Sequence, residues 1–404
     1  MKHFSYLSSE EKKKLFYQEP ISFSKDITKE QLAYALGATL YTPGTKDTIA
    51  VDIAAKKHEG ATSIVLCLED SISDGDVKLA EQNVVIQMQL LAHMIDANRL
   101  LPSDVPLLFI RIREPKQMRS LIHELGSAVH CMSGFVFPKF TPANGMSYIH
   151  ELQDINETYS LSLYGMPILE SPEIIYKETR IDTLLAIKAI LDSYRTFILN
   201  VRIGATDFSG IFGIRRNKDT TIYDIAVIRD CISDIINIFS RKADEYVISG
   251  PVWEYFGNKQ RVLKPQLRQT PFRKSFGSAG VTMREEMLHR YEDGLIHEVL
   301  LDQANGLIGK TVIHPSHIKL VQALHVVTLE DYLDAKAIFE GAQTYNGVMK
   351  SSFSNKMNEV KPHYNWARKT LLKSNIYGVL HEQQTFFDLL TEKSKQNVHV
   401  PHFK

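Results

Sequence analysis

Pro167-Ile-Leu-Glu-Ser171 and Val201-Arg-Ile-Gly-Ala-Thr-Asp-Phe-Ser-Gly210 each run a few apolar, strand-like residues straight into one carboxylate, Glu170 in the first and Asp207 in the second. A short apolar run bounded by turn residues reads as a buried strand. A carboxylate at its end stands where a parallel barrel assembles its active site.

Outward from these two, the same alternation of short apolar runs and longer helix-period segments begins near Ala38. The runs are Ala38–Tyr41, Ser63–Leu68, Leu107–Ile112, Gly134–Pro138, Met166–Leu169, Phe197–Gly204, Glu245–Ile248 and Thr311–Ile313. Between them, Tyr223–Lys242 places Ile225, Ile228, Ile232, Ile235, Ile236 and Phe239 on one stripe, and Ile181–Arg195 does the same with Leu184, Leu185, Ile187, Ile190 and Leu191. One apolar face per helix is what covers a sheet. Eight strands with intervening helices predict an α/β chain folded as a (β/α)8 TIM barrel. An open doubly wound sheet of that many parallel strands is less usual, and no Gly-rich dinucleotide loop is present.

Residues 31–325 are expected to form the barrel, with 1–30 as an N-terminal extension and 326–404 as a C-terminal helical region. In the last, helices are expected over Leu329–Phe339, Trp366–Leu372 and Leu380–Leu390, with Ser351–Asn358 as a polar linker. A long insertion at about 253–280, carrying Lys259, Arg261, Lys264, Arg268, Arg273 and Lys274, exceeds a simple connection. It reads either as an anion-binding active-site loop or as a solvated surface loop.

Lys plus Arg and Asp plus Glu both total 47, so no global field points to nucleic acid or to an anionic membrane as partner. Cys67, Cys131 and Cys231 lie far apart in apolar surroundings and read as buried thiols of a reducing compartment. Met1–Pro20 is polar and lysine-rich without an apolar core, and no run approaches the roughly 18 apolar residues of a spanning helix. The expected location is the cytoplasm.

Magnesium takes hard oxygen ligands, usually one or two carboxylates with water and substrate oxygens completing an octahedron. Glu170 and Asp207 on adjacent strand ends meet that need, although a lone carboxylate after a strand is more often a cap or a surface residue. The other strand ends strengthen the case. Glu69 and Asp70 close the second strand, Arg111 and Arg113 the third and Lys139 the fourth, so charge converges on one rim. The turn Thr42-Pro-Gly44 with Lys46, and the last strand with Lys310, are candidates to hold a phosphate or carboxylate on backbone amides and ammonium groups. Gly306–Lys310 lacks P-loop spacing. His314, fixed by Pro315, reads as a turn-anchoring histidine rather than a general base.

Taken in order, Leu40-Tyr-Thr-Pro-Gly44, Cys67-Leu-Glu-Asp-Ser71, Ile110-Arg-Ile-Arg113, Phe137-Pro-Lys139, Ile168-Leu-Glu-Ser171, Gly204-Ala-Thr-Asp207 and Gly309-Lys-Thr-Val-Ile-His-Pro315 resemble the citrate lyase beta-subunit and malyl-CoA lyase family of aldolases. The Asn355-Lys-Met-Asn-Glu-Val-Lys-Pro-His-Tyr-Asn-Trp366 tail resembles more closely the branch of C–C bond lyases of the TIM-barrel fold found in tellurium-resistance and stress gene clusters. The resemblance implies a Mg2+-dependent lyase, with Mn2+ as an alternative ion, that makes or breaks a carbon–carbon bond through an enolate. It implies Glu170 and Asp207 as metal ligands, Arg111 as the group gripping the substrate carboxylate, and Glu69 and Asp70 as water-positioning carboxylates behind the metal. It implies a small carboxylate substrate, as a CoA thioester or a phosphorylated compound, and a homo-oligomer.

The chain departs from the family at three places. Gly37-Ala38 stands where an Arg-Ser pair usually opens the first motif, and Cys67 stands where an aspartate usually begins the second. The tail aspartate is matched by Val360 or, with a shift of one residue, by Glu359. The altered first motif and the long basic insertion together point to a substrate other than citryl-CoA or malyl-CoA. Cys67 and the missing arginine keep open a barrel serving as a binding or scaffold component of a stress-response system. A pyruvate- or phosphoenolpyruvate-type barrel enzyme, which also uses Mg2+ at a Glu/Asp pair, is a third reading.

Overall fold

The computed structural model describes residues 1–256, 290–343, 347–353 and 355–391. The greater part of the basic insertion, including all six of its singled-out cations, lies outside the described residues.

Eight parallel strands form the central barrel. They are β1 (Ala38–Pro43), β2 (Ser63–Cys67), β3 (Leu107–Arg111), β4 (Met132–Phe137), β5 (Tyr164–Leu169), β6 (Val201–Ile203), β7 (Ile248–Ser249) and β8 (Lys310–Val312). Each pairs with its sequence neighbour from β1 through β7, and β8 pairs with β1, as in Ala38 with Lys310. A parallel bridge between Gly250 and Lys310 brings the two ends of the sheet together. A strand lies at or beside each expected place, although β7 shares only Ile248 with the expected Glu245–Ile248.

These strands have few polar positions because both faces are covered. All five residues of β2 and of β3 and all six of β4 are buried, as parallel strands lying between a packed interior and an outer ring of helices require. The helix Ala226–Phe239 buries Ile228, Cys231, Ile232, Ile235, Ile238 and Phe239, spaced at three and four. Burial of an apolar side chain contributes roughly 1.5–3 kcal/mol, so this stripe fixes the helix against the sheet. In the helix Arg180–Ser193, Leu184, Ile187 and Leu191 are buried, but Leu185 of the expected stripe is 47% exposed.

One close approach shapes the wall. The β3–β4 register shifts at Ser133, and a Cβ on Gly134 would stand 1.9 Å from the Tyr164 carbonyl oxygen. Only glycine lets β4 and β5 meet there.

Residues 24–318 form one compact unit, and residues 2–23 with 319–404 form another. In the second unit the helix Ser9–Leu15 opens with a Ser8–Glu11 capping box. The strand Phe16–Gln18 then pairs antiparallel with Val379–Leu380. Phe4, Leu7, Leu15, Phe16, Ala323, Val326, Leu380 and Leu389 share a core. The helices Leu329–Gln343 and Val360–Tyr377 contain the first two expected there, and the intervening segment includes a hairpin of Val348–Lys350 with Met357–Glu359. The expected helix Leu380–Leu390 is not formed. Leu380 donates its N–H to the Val327 carbonyl at 3.0 Å and His381 to that of Leu15 at 2.9 Å, so long-range pairing overrides the local pattern until Asp388.

Candidate active site

The charged groups predicted at the strand ends come together. Glu170 follows β5 directly, and Gly204 follows β6 and precedes the helix Ala205–Ile211, whose first turn carries Asp207. Glu170 is 3% exposed. Its Oε1 accepts from the Lys139 backbone N–H at 2.9 Å and from Arg111 Nη2 at 3.3 Å. Lys139 aims that N–H by adopting φ +47°, a left-handed conformation uncommon for a residue with a side chain. Gly204 is equally constrained, since a Cβ there would stand 2.2 Å from Glu170 Oε2.

Arg111 is the hub. Its Nη2 lies 2.6 Å from Glu69 Oε2, 2.9 Å from Asp70 Oδ2 and 3.3 Å from Glu170 Oε1. The Lys139 ammonium bonds Glu69 and lies 3.4 Å from Asp70. Among the described residues, the Arg111 Nε–H is buried without a hydrogen-bond partner.

Burial and the nearby charges set the protonation. Burial pushes the Glu170 carboxyl up to about 7, with the Asp207 charge adding to the rise and Arg111 opposing it. Asp207 is raised by burial and by the charge of Asp70, while Arg111, Lys139 and a hydrogen bond with Glu170 pull the other way. Burial also raises Glu69 against the pull of Arg111. For Asp70, burial is outweighed by its hydrogen bond with Glu69 and the charges of Arg111 and Lys139, so it is lowered. Four carboxylates contact or neighbour Arg111 and Lys139, and Arg202 lines the same cavity. Full ionisation would leave carboxylates in excess of cations, a charge that a divalent cation would offset.

Asp70, Arg111, Glu170 and Asp207 line a cavity of roughly 160 Å3 together with Tyr41, Arg202, Gly204, Thr206 and Thr311, among others. No group of three or more His, Cys, Asp or Glu side chains suited to a metal occurs among the described residues. The oxygen donors suit a hard ion that keeps water or substrate in most positions, as Mg2+ does.

The remaining predicted site residues are not among those lining the cavity. Thr42 is buried in β1, Pro43 is exposed, and the Gly44 N–H bonds the Cys67 carbonyl at 2.8 Å. Lys46 is held by Asp52 at 2.6 Å. Arg113 clamps the loop after β2, reaching the carbonyls of Leu68 and Ile72 and the carboxylate of Asp74. Lys310, expected in an open anion-binding turn, is fully buried between Glu298 at 2.9 Å and Asp302 at 2.7 Å. Its charge is already matched by protein carboxylates. Glu359 is exposed in the second unit, where it pairs with Val348. His314 bonds Ser316 through Nδ1 at 2.8 Å and stacks on Phe256, as a turn-anchoring histidine does.

Two cavity residues have a sequence signal that strand hydrophobicity masked. Arg202 is a charged residue in the middle of the run Val201–Ile203, and Tyr41 is a polar-tipped aromatic in β1.

The family model for C–C bond lyases of the TIM-barrel fold matches residues 30–379. This chain belongs to that family. The lyase has the same fold as the protein CitE from Mycobacterium tuberculosis, crystallised in complex with magnesium, acetoacetate and coenzyme A, at 17% identity and TM-score 0.50 over 85% of this chain and 99% of the other. It is also similar to the citrate lyase beta subunit from M. tuberculosis complexed with oxaloacetate and magnesium, at 17% identity and TM-score 0.43 over 73% and 98% of the two chains. A Haloferax volcanii malate synthase in a magnesium and glyoxylate complex is similar at 12% identity and TM-score 0.45 over 70% and 72%. No curated protein sequence matches the lyase. No described helix is long and apolar enough to cross a membrane.

Proposed function

We propose that this carbon–carbon lyase is Mg2+-dependent, with Glu170 and Asp207 as the protein ligands of one ion, and that it acts through an enolate on a carboxylated substrate. The observation that carries the reading is the pairing of buried Glu170 with half-buried Asp207 on one cavity, both raised in pKa and beside more carboxylates than cations. The CitE relative described with magnesium, acetoacetate and coenzyme A supports the same chemistry. A bound Mg2+ polarises a substrate oxygen and lowers the cost of an enolate by several kcal/mol.

The chain's own groups supply the rest. Arg111, fixed by Glu69, Asp70 and Glu170, offers a positive charge that need not reorganise as negative charge develops. Its buried Nε–H, without a partner among the described residues, would donate to a substrate oxygen. Asp70 lines the cavity as an ionised, half-exposed carboxylate and is placed to orient water or a proton, with Glu69 holding Lys139 behind it. We extend the reading to a substrate carried as a CoA thioester or phosphate ester, and to a cytoplasmic homo-oligomer. Mn2+ substitutes for Mg2+ in this scheme, and the link to stress-response systems follows from the sequence resemblance.

Electron paramagnetic resonance of added Mn2+ tests the centre. Wild type should bind the ion, and the Glu170→Ala, Asp207→Ala double variant should not. Unchanged Mn2+ binding in the double variant would sink the assignment.

A further inference from the structure

Among the described residues, Arg202 is a buried cation that no carboxylate pairs with. It lies in β6, is 1% exposed, and donates from Nη2 to Thr311 Oγ1 on β8 at 2.7 Å. Its guanidinium carbon is 5.6 Å from the centroid of the Tyr41 ring on β1. Partners on two strands that do not adjoin β6 mean that the side chain crosses the barrel interior.

Other buried arginines of this unit are matched. Arg111 has its three carboxylates, Arg180 has Asp234 at 2.9 Å, and Arg216 has Glu254 at 2.6 Å. Among the described residues no carboxylate pairs with Arg202, and its Nε and Nη1 are buried without a hydrogen-bond partner. Burying an unpaired charge is costly, and a barrel interior that needed only packing would be served better by an apolar side chain of similar volume. Arg202 lines the cavity that also contains Glu170, Asp207 and Arg111.

Charge points to the missing partner. The four ionised carboxylates, with Arg111, Lys139 and one divalent cation, come to neutrality, and Arg202 then adds one positive charge. A compact monoanion restores the balance, and a carboxylate accepts hydrogen bonds from guanidinium N–H groups with good geometry.

We propose that Arg202 anchors the carboxylate of a compact monocarboxylate inside this cavity, and thereby selects the substrate half that carries its own charge. The inference rests on the metal-lyase reading for its charge count.

Calorimetric titration of the full chain with pyruvate, run with and without Mn2+, tests it. Arg202→Met should weaken pyruvate binding about 10- to 100-fold, the worth of charge-assisted hydrogen bonds to one group, while Mn2+ affinity stays at the wild-type value. Arg202→Lys should fall between the two, because it keeps the charge and loses the fork, and it carries the test if the methionine variant does not fold. Unliganded Arg202→Met should melt at or above the wild-type temperature, which a merely structural arginine would not allow. Wild-type pyruvate affinity in either variant with Mn2+ binding intact would overturn the proposal and leave the metal assignment standing. Loss of Mn2+ binding in wild type would remove the metal assignment. In that case, Arg202-dependent pyruvate binding without metal supports the anchor, and no pyruvate binding overturns it. Arg202-dependent binding of inorganic phosphate, with none of pyruvate, would overturn the carboxylate assignment.

Discussion

Gly204→Ala isolates the metal-ligand geometry with one methyl group. Gly204 has φ −93° and ψ 72°, so alanine meets no left-handed strain and the effect must come from contact. The added Cβ would stand 2.2 Å from Glu170 Oε2 and 2.4 Å from Glu170 Cβ. Carbon–oxygen contact distances need the carboxylate to withdraw by roughly 1 Å, and a misplacement of that size costs on the order of 100-fold in rate. Glu170 is 3% exposed and tied to the Lys139 amide and Arg111, so it has little room to yield. Overpacking of this kind costs about 1–3 kcal/mol of stability, a drop of several degrees in Tm for a domain this size. The variant should therefore remain folded near room temperature while losing Mn2+ affinity and lyase activity together. Paramagnetic resonance, circular dichroism melts and turnover on the same preparation give the answer. A folded variant with wild-type metal affinity would refute the argument that Glu170 holds the ion.

Two further outcomes follow from burial. Lys310→Met leaves Glu298 and Asp302 without the ammonium between them. It should cost about 3–5 kcal/mol in a urea melt, with Lys310→Arg recovering little because the site is closed. His317 is 1% exposed, and burial is the main reason its pKa falls from 6.5 to about 4, with the charge of His314 lowering it further and a hydrogen bond to the Tyr255 carbonyl opposing the fall. The unfolded chain binds that proton more readily, so the contribution is intact above pH 6.5 and is lost as pH falls towards 4. The loss reaches about 3 kcal/mol at the low end. Denaturant melts across that range should show the decline in wild type and a shallower one in His317→Gln.

The barrel was legible because its strands are short, apolar and evenly interrupted, and the sheet order follows chain order. Glu170, Asp207, Glu69, Asp70 and Arg111 were legible for the same reason, since a strand end fixes where a side chain goes. Lys310 and Arg202 show the limit of that reasoning. Both are cations in β-strands. Whether such a residue is neutralised by Glu298 and Asp302 or left unmatched in a cavity depends on partners that strand periodicity does not specify. The helix expected over Leu380–Leu390 failed likewise, because the pairing with Phe16 is a contact across almost the whole chain.

That pairing bears on synthesis. Phe16 and Leu380 are 364 positions apart, and the strands they occupy hold a single unit together. At about 5–20 residues per second, the leading segment waits on the order of tens of seconds after leaving the ribosome before its partner strand exists. The barrel's sequence emerges within that interval, ahead of residue 380. Phe4, Leu7, Leu15 and Phe16, meanwhile, are greasy surface that a chaperone must shield or that neighbouring nascent chains can capture. Trimming either end of the sequence strips the same unit of a strand, so a tag fused near residue 1 and a deletion near residue 380 should produce the same defect in yield.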